Sequence, residues 1–221
     1  MKLYSGIVLL VLSISLALAQ NHTICYNYFL QKDGCVYSSG NEETRCTAPP
    51  KACQDPVTPV KCPTESQDDQ SQFAKRSETH TTLVRRYDNT QKVFPIAGGN
   101  GICGHYDTNN DHGACLWSGS SLSGADPMTA GWLNLAQKSN CGKRLYVQRR
   151  GRPETVIYVP IVDGCNFRSV DPTFGCFQIA LTNITFNALN PTDQEIAKQA
   201  IDDLSWDFDN LEGCSENQAP I

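Results

Sequence analysis

The stretch Cys141-Gly142-Lys143-Arg144-Leu145-Tyr146-Val147-Gln148-Arg149-Arg150-Gly151, continued by Thr155-Val156-Ile157-Tyr158-Val159-Pro160-Ile161-Val162-Asp163-Gly164-Cys165 and closed at Cys176, decides the fold. Leu145 and Val147 alternate with Arg144, Tyr146 and Gln148, and Val156, Tyr158 and Pro160 alternate with Ile157, Val159 and Ile161. Period two over two runs rich in β-branched and aromatic residues, broken at Arg149-Arg150-Gly151, predicts a β-hairpin. Cysteines at both ends predict that the hairpin is stapled into something larger.

Outward from the hairpin, the C-terminal side holds Phe177-Gln178-Ile179 and a short helix over 181–189, ended by Asn190-Pro191. Thr192-Asp193-Gln194-Glu195 has capping-box spacing and opens a helix of about three turns, with Ile196, Ala197, Ala200, Ile201 and Leu204 on one face. Ser205-Trp206-Asp207-Phe208 reads as a closing strand anchored by Cys214. On the N-terminal side, Val93-Phe94-Pro95-Ile96-Ala97 reads as a first strand before the loop Gly98 to Gly101. Short strands with small helices predict a mainly β barrel over 93–221.

The segment 20–76 differs in kind. It carries Cys25, Cys35, Cys46, Cys53 and Cys62, several prolines, and little hydrophobic periodicity. Such a stretch is expected to bury no core and to owe any order to disulfides. Lys75-Arg76 ends it as a dibasic pair suited to a processing protease, which makes 20–76 a removable propeptide and 77–92 a linker. Ahead of it, Lys2, the apolar run Ile7 to Leu18 and Ala17-Leu18-Ala19 have the layout of a secretory signal peptide over 1–19. An apolar core of about a dozen residues is too short for a membrane anchor.

The chain has 221 residues and 11 cysteines. Beyond an export signal these read as disulfides, and the six from Cys103 onward (Cys103, Cys115, Cys141, Cys165, Cys176, Cys214) are expected to form three internal bridges of open pairing. Asn21 and Asn183 head N-x-T sequons that fit the same extracellular route. Losing Lys2 with the signal leaves 17 of the 18 basic side chains against 23 acidic ones, a net charge of −6. An acidic secreted protein is a poor partner for nucleic acid. Neither a cofactor nor a metal is expected. Asp107-x-Asn109-x-Asp111 begins like a calcium loop, but the glycine (Gly113) falls one position late and Ser118 stands where the closing glutamate belongs. His105 and His112 lack a ligand frame.

Six pieces in order resemble the secreted double-psi β-barrel family, which includes barwin, the first domain of expansins, RlpA-like proteins and kiwellin. They are Gly101-Ile102-Cys103-Gly104, Gly131-Trp132-Leu133-Asn134, Cys141-Gly142-Lys143, Val162-Asp163-Gly164-Cys165, Leu181-Thr182 with Phe186, and Trp206-Asp207-Phe208 with Cys214. The layout, with a cysteine-rich segment before the barrel, is most similar to kiwellin. The resemblance implies a six-stranded double-psi β-barrel, a disulfide between Cys103 and Cys165, and a binding groove.

Lytic relatives such as family-45 endoglucanases use two carboxylates across that groove. The position matching the acidic residue of the family's Asp-Leu-Ser motif is Ala180, so the resemblance implies that the proton donor is missing. Asp163, Asp107 and Asp111 remain as weak catalytic candidates. Asp163 equally suits a turn residue holding backbone N–H groups. Tyr106, Trp117, Asp163 and Gln178 are the expected groove residues, with Tyr146 and Trp132 as further aromatic faces and Trp132 and Trp206 also suited to the core. Lys143, Arg144, Arg149, Arg150 and Arg152 gather cations on one hairpin while 193–216 is acidic, a separation able to steer a partner.

The chain therefore reads as a monomeric, secreted, non-catalytic barrel binding cell-wall polysaccharide or a secreted or host protein, in the manner of an effector. An expansin-like or endoglucanase-type enzyme and a protease inhibitor are the rivals.

Overall fold

The computed structural model describes residues 22–46, 87–121, 124, 126–210, 213 and 215–221. Signal segment 1–19, Asn21, Cys53, Cys62, Lys75, Arg76 and Cys214 lie outside the described residues. The described elements are α1 (Ile24–Asp33), β1 (Tyr87–Asp88), β2 (Pro95–Ile96), β3 (Gly99–Gly101), β4 (Gly104–Tyr106), β5 (Ala114–Trp117), β6 (Arg144–Arg149), β7 (Arg152–Cys165), α2 (Pro172–Gly175), β8 (Ile179–Thr182), α3 (Asn183–Ala188), α4 (Asp193–Lys198) and β9 (Leu204–Phe208).

The hairpin forms as its alternation demands. β6 and β7 pair antiparallel, with Leu145 opposite Val159 and Val147 opposite Ile157. Gly151, at φ 71°, supplies the left-handed turn residue between them. β7 runs on for 14 residues, and its far half pairs parallel with β5. The seven-stranded sheet has the order β1-β9-β6-β7-β5-β8-β2, and β3-β4 form a separate ribbon. Seven flat strands would put β1 and β2 about 29 Å apart at about 4.8 Å per neighbour. The chain from Asp88 to Pro95 spans at most about 25 Å. The sheet therefore curls, and Val93 bridges to Ile201 near the returning edge. The architecture is mainly β, a curled sheet with short helices.

Four disulfides join described residues: Cys25–Cys176, Cys35–Cys46, Cys103–Cys141 and Cys115–Cys165. The expected Cys103–Cys165 pair is not formed. Cys115 and Cys165 stand on neighbouring parallel strands with Cα atoms 5.8 Å apart, and Cys103 meets Cys141 at 5.3 Å. Both separations suit a bridge. Three bridges confined to the barrel cysteines are also overturned, because Cys176 pairs across 151 residues with Cys25.

That bridge also corrects the expectation that the N-terminal segment buries no core. α1 starts at Thr23, whose side chain accepts from the Tyr26 N–H, and ends at Gly34 in the left-handed conformation. It buries Cys25, Tyr26 and Phe29 in the same core as Trp132 and Trp206. The Phe29 ring lies 4.3 Å from Tyr87, 5.0 Å from Phe177 and 6.0 Å from Trp132 between centroids. Short spacing of aromatics, rather than a long amphipathic period, supplies the buried face. Tyr87, expected in a linker, pairs with Trp206 in β9 and is itself 1% exposed.

Two helical expectations also shift. The run 181–189 splits into the end of β8 and α3, since Leu181 and Thr182 still pair with β5 and β2. The capping box at Thr192 and Glu195 forms, but α4 stops at Lys198, where Gln199 turns left-handed at φ 49°. Ile201 and Leu204 are then buried as a bridge and a strand instead of as a helix face.

Candidate functional site

The sheet places the candidate groove residues by register. Cys115 in β5 is opposite Asp163 on one side and Ala180 on the other. Residues opposite one another across a ladder face the same way. Two strand spacings put positions 163 and 180 about 10 Å apart, near the separation an inverting glycosidase uses between its carboxyl groups. At position 180 this chain has a methyl group, 5% exposed.

The Asp163 carboxylate is occupied by its own fold. Its Oδ1 accepts from the Ile102 N–H at 2.7 Å and the Gly164 N–H at 2.8 Å, and the Tyr106 hydroxyl donates toward its Oδ2 at 3.2 Å. The same hydroxyl lies 2.9 Å from the Ala97 carbonyl. A Cβ at Gly101 would come within 2.6 Å of the Asp163 carboxyl carbon, so only glycine lets the β3-β4 ribbon close over it. Burial, and then the Asp163 charge, push the Tyr106 phenol up to about 12. It remains a donor near neutrality and serves as no base. Asp107 and Asp111 stand apart, closing their own loop. Asp107 accepts from the Asn109 N–H at 2.9 Å and the Asn110 amide, and Asp111 accepts from the Asp107 N–H at 2.7 Å. The Asn109 N–H in particular holds the exposed Asp107 below the usual carboxylate range.

The aromatic groove residues are not at a surface. Trp117 is 0% exposed, as are Trp132 and Trp206, and Tyr106 and Tyr146 are buried. All of Ala114–Trp117 is buried because β5 lies between β7 and β8 and is covered on both faces. The uninterrupted apolar run Ala-Cys-Leu-Trp carried that signal in the sequence. Gln178, 2% exposed, donates to Thr90 Oγ1 and the Phe174 carbonyl. Of the expected groove set, the structure joins only Tyr106 and Asp163. A shallow depression of about 200 Å³ lies beside Cys103, His105, Gly142, Pro160 and Val162, the chain neighbours of Tyr106 and Asp163 among them.

Sequon residue Asn183 opens α3 with its amide donating to Asn109 Oδ1, and the sequon's Thr185 is 0% exposed. Among the described residues no three metal-ligating side chains cluster. None of their helices is long and apolar enough to cross a membrane.

The basic hairpin is neutralised internally. Arg149 makes a two-pronged contact to Glu195 at 2.9 Å and also donates to the Leu189 and Asn190 carbonyls. Arg144 pairs with Asp209, Arg150 with Asp88 and Asp203, and Arg152 with Glu154. Hydrogen bonding by Arg149 holds Glu195 down at about 2. Lys143 is turned inward to Asn140 and the Ala219 carbonyl, and burial lowers it to about 8. The charge separation read from the sequence binds the chain to itself.

A segment that sequence reading passed over is the turn 166–171 after β7. Phe167 and Arg168 hold φ of 52° and 54°, two consecutive left-handed residues that are neither glycine nor asparagine. All three indoles brace the chain from Ser169 onward: Trp117 donates to the Ser169 carbonyl, Trp132 to Cys176 and Trp206 to Phe177, at 3.0–3.1 Å. The turn lies between Cys165 and Cys176, each in a disulfide. Arg168 is exposed and Val170 is 72% exposed. No sequence signal marks the strain, because Phe and Arg are ordinary residues for the right-handed region.

No protein-family model matches the chain, and no curated protein matches it. Among solved structures it is similar to the Streptomyces papain inhibitor, at 21% identity and a TM-score of 0.37, over 54% of this chain and 91% of that one.

Proposed function

We propose that this chain is an extracellular, non-catalytic protein-binding barrel, and that its partner is a protease whose active-site cleft it occludes. The observation that carries the reading is the state of the groove. Its carboxylate is spent on two backbone N–H groups and a phenol, and its expected aromatic platform is interior. Hydrolysis needs a second, free carboxyl group, and sugar stacking needs an exposed flat ring. Neither is supplied by the residues expected to line the groove, which weakens the polysaccharide and enzyme readings. A rigid surface is left. Four disulfides support an oxidising compartment and a fold that resists cutting while it presents preformed turns.

Papain and trypsin stand for the cysteine and serine proteases in the test. The purified chain is titrated into each with a small chromogenic substrate. The expected result is stoichiometric loss of activity of one enzyme. No inhibition of either, combined with retention on insoluble cellulose or chitin, would return the polysaccharide reading. Release of reducing sugar from mixed-linkage glucan, abolished in Asp163→Asn, would return the enzyme.

A further inference from the structure

The geometry points to the turn Asn166–Asp171 as the part of the surface that enters the partner's cleft, Arg168 meeting a carboxylate there and Val170 an apolar subsite. This rests on the inhibitor reading and deepens it.

Two adjacent left-handed residues with a Cβ are costly and persist only where the surroundings over-determine them. Here they do. The Phe167 side chain packs against the core, the Ser169 N–H donates to the Asn166 carbonyl, and Trp117 holds the Ser169 carbonyl from below. Asp171 in turn accepts from the Thr173 N–H at 2.8 Å to start α2. The strain is therefore met during folding, and the turn is presented already ordered. A preformed loop gives up little conformational freedom on binding.

The turn differs from the basic hairpin. The arginines of the hairpin are paired with carboxylates, whereas Arg168 has no carboxylate within ion-pair distance among the described residues. Val170 is the most exposed of the large hydrophobic residues described. Two positions along one chain, they sit within about 7 Å of each other. A cation beside an apolar knob on a rigid turn complements a cleft with an acidic wall and an apolar pocket, and Arg is enriched among residues that dominate such contacts.

The left-handed backbone also favours one manner of entry. A substrate enters a protease cleft extended, and a residue at φ 54° reverses the chain. The turn plugs the cleft as a wedge and leaves the Arg168–Ser169 bond unpresented.

The test uses the full chain and papain, with trypsin in parallel. Arg168→Gly removes the cation at a position where glycine relieves strain, so the variant keeps or raises its melting temperature. Val170→Asp places a charge on the knob. Each is expected to weaken inhibition at least tenfold, with Tm unchanged or higher for the first. Lys138→Ala, at an exposed residue outside the turn, leaves inhibition intact. Wild-type inhibition that survives both turn variants within twofold would overturn this inference while sparing the reading beneath it. Failure of the wild-type chain to inhibit either enzyme would overturn both. Cleavage at Arg168–Ser169 in the native complex would overturn the wedge geometry.

Discussion

Phe29→Ala decides whether the N-terminal segment is part of the folded unit or a passenger on it. The Phe29 side chain is 1% exposed and packs on Tyr87, Phe177 and Trp132, from three other parts of the chain, and on its neighbour Tyr28. Truncating a fully buried Phe to Ala costs about 3–5 kcal/mol in transfer and cavity terms together. Tyr87 is held by its pairing with β9 and Trp132 by its bonds to the Trp117 and Cys176 carbonyls, so neither collapses freely into the gap, which favours the upper half of that range. For a domain of about 150–250 residues, about 3–5 kcal/mol lowers Tm by about 6–20 °C. The assay is urea unfolding followed by tryptophan fluorescence, since Trp132 and Trp206 report on the barrel itself. The variant is expected to unfold in one transition, with a lower midpoint and an unchanged slope. A loss under about 1 kcal/mol, well below the cavity range, or a separate early transition for α1, would refute the claim that 22–46 completes the core.

Named contacts fix three further outcomes. Cutting at Lys75-Arg76 with a dibasic-specific protease is expected to yield two chains that run together without reductant and separate with it, because Cys25 is bridged to Cys176; release of the N-terminal piece without reductant would show that bridge absent. Glu195 is held at about 2 against an ordinary 4.5, so its stabilisation is complete above pH 4.5 and is lost as pH falls through 2. That depression corresponds to about 3 kcal/mol before solvent screening, which brings the expected loss in Glu195→Gln at neutral pH to about 1–2 kcal/mol; urea titrations between pH 4.5 and 2 should show the flattened profile. Asp163→Asn removes the charge beside Tyr106 and should bring that phenol part of the way from about 12 toward 10, since burial is the larger cause; ultraviolet titration of the tyrosines reads the change.

The parts of the fold legible in the sequence are those set by local periodicity. The β6-β7 hairpin, the closing strand at Trp206 and the capping box at Thr192 each follow from residues within one short window. Disulfide pairing was not legible, because Cys25–Cys176 depends on where α1 docks in three dimensions. The role of 22–46 was hidden for a related reason. Its helix buries three residues in ten, too few to show a period, and its value comes from aromatic partners far along the chain. At the candidate site, Tyr106 and Asp163 stood out in the sequence and touch in the fold, whereas Trp117 stood out equally and is interior. An aromatic type suits a platform and a core equally, and only the neighbours on both sides of β5 decide between them.

The charges lead to the same division between inside and outside. A cluster of cations on one hairpin invites a reading as a docking face, yet each arginine of it finds a carboxylate of this chain. Arg149 shows how completely: its side chain is 11% exposed, it pairs with both oxygens of Glu195, and it holds two carbonyls at the end of α3. Such a pair fixes geometry, since a largely buried charge left without its partner is destabilising. Charge used this way is unavailable to a partner. The cations that can act outward are the ones the fold leaves without a carboxylate, and among the described residues Arg168 is one, exposed in the turn after β7. Strain at Phe167-Arg168 and an arginine without a described counterion coincide in one turn, and because Arg168→Gly removes the cation while relieving the strain, a loss of inhibition at a retained Tm assigns the effect to the surface and not to the fold.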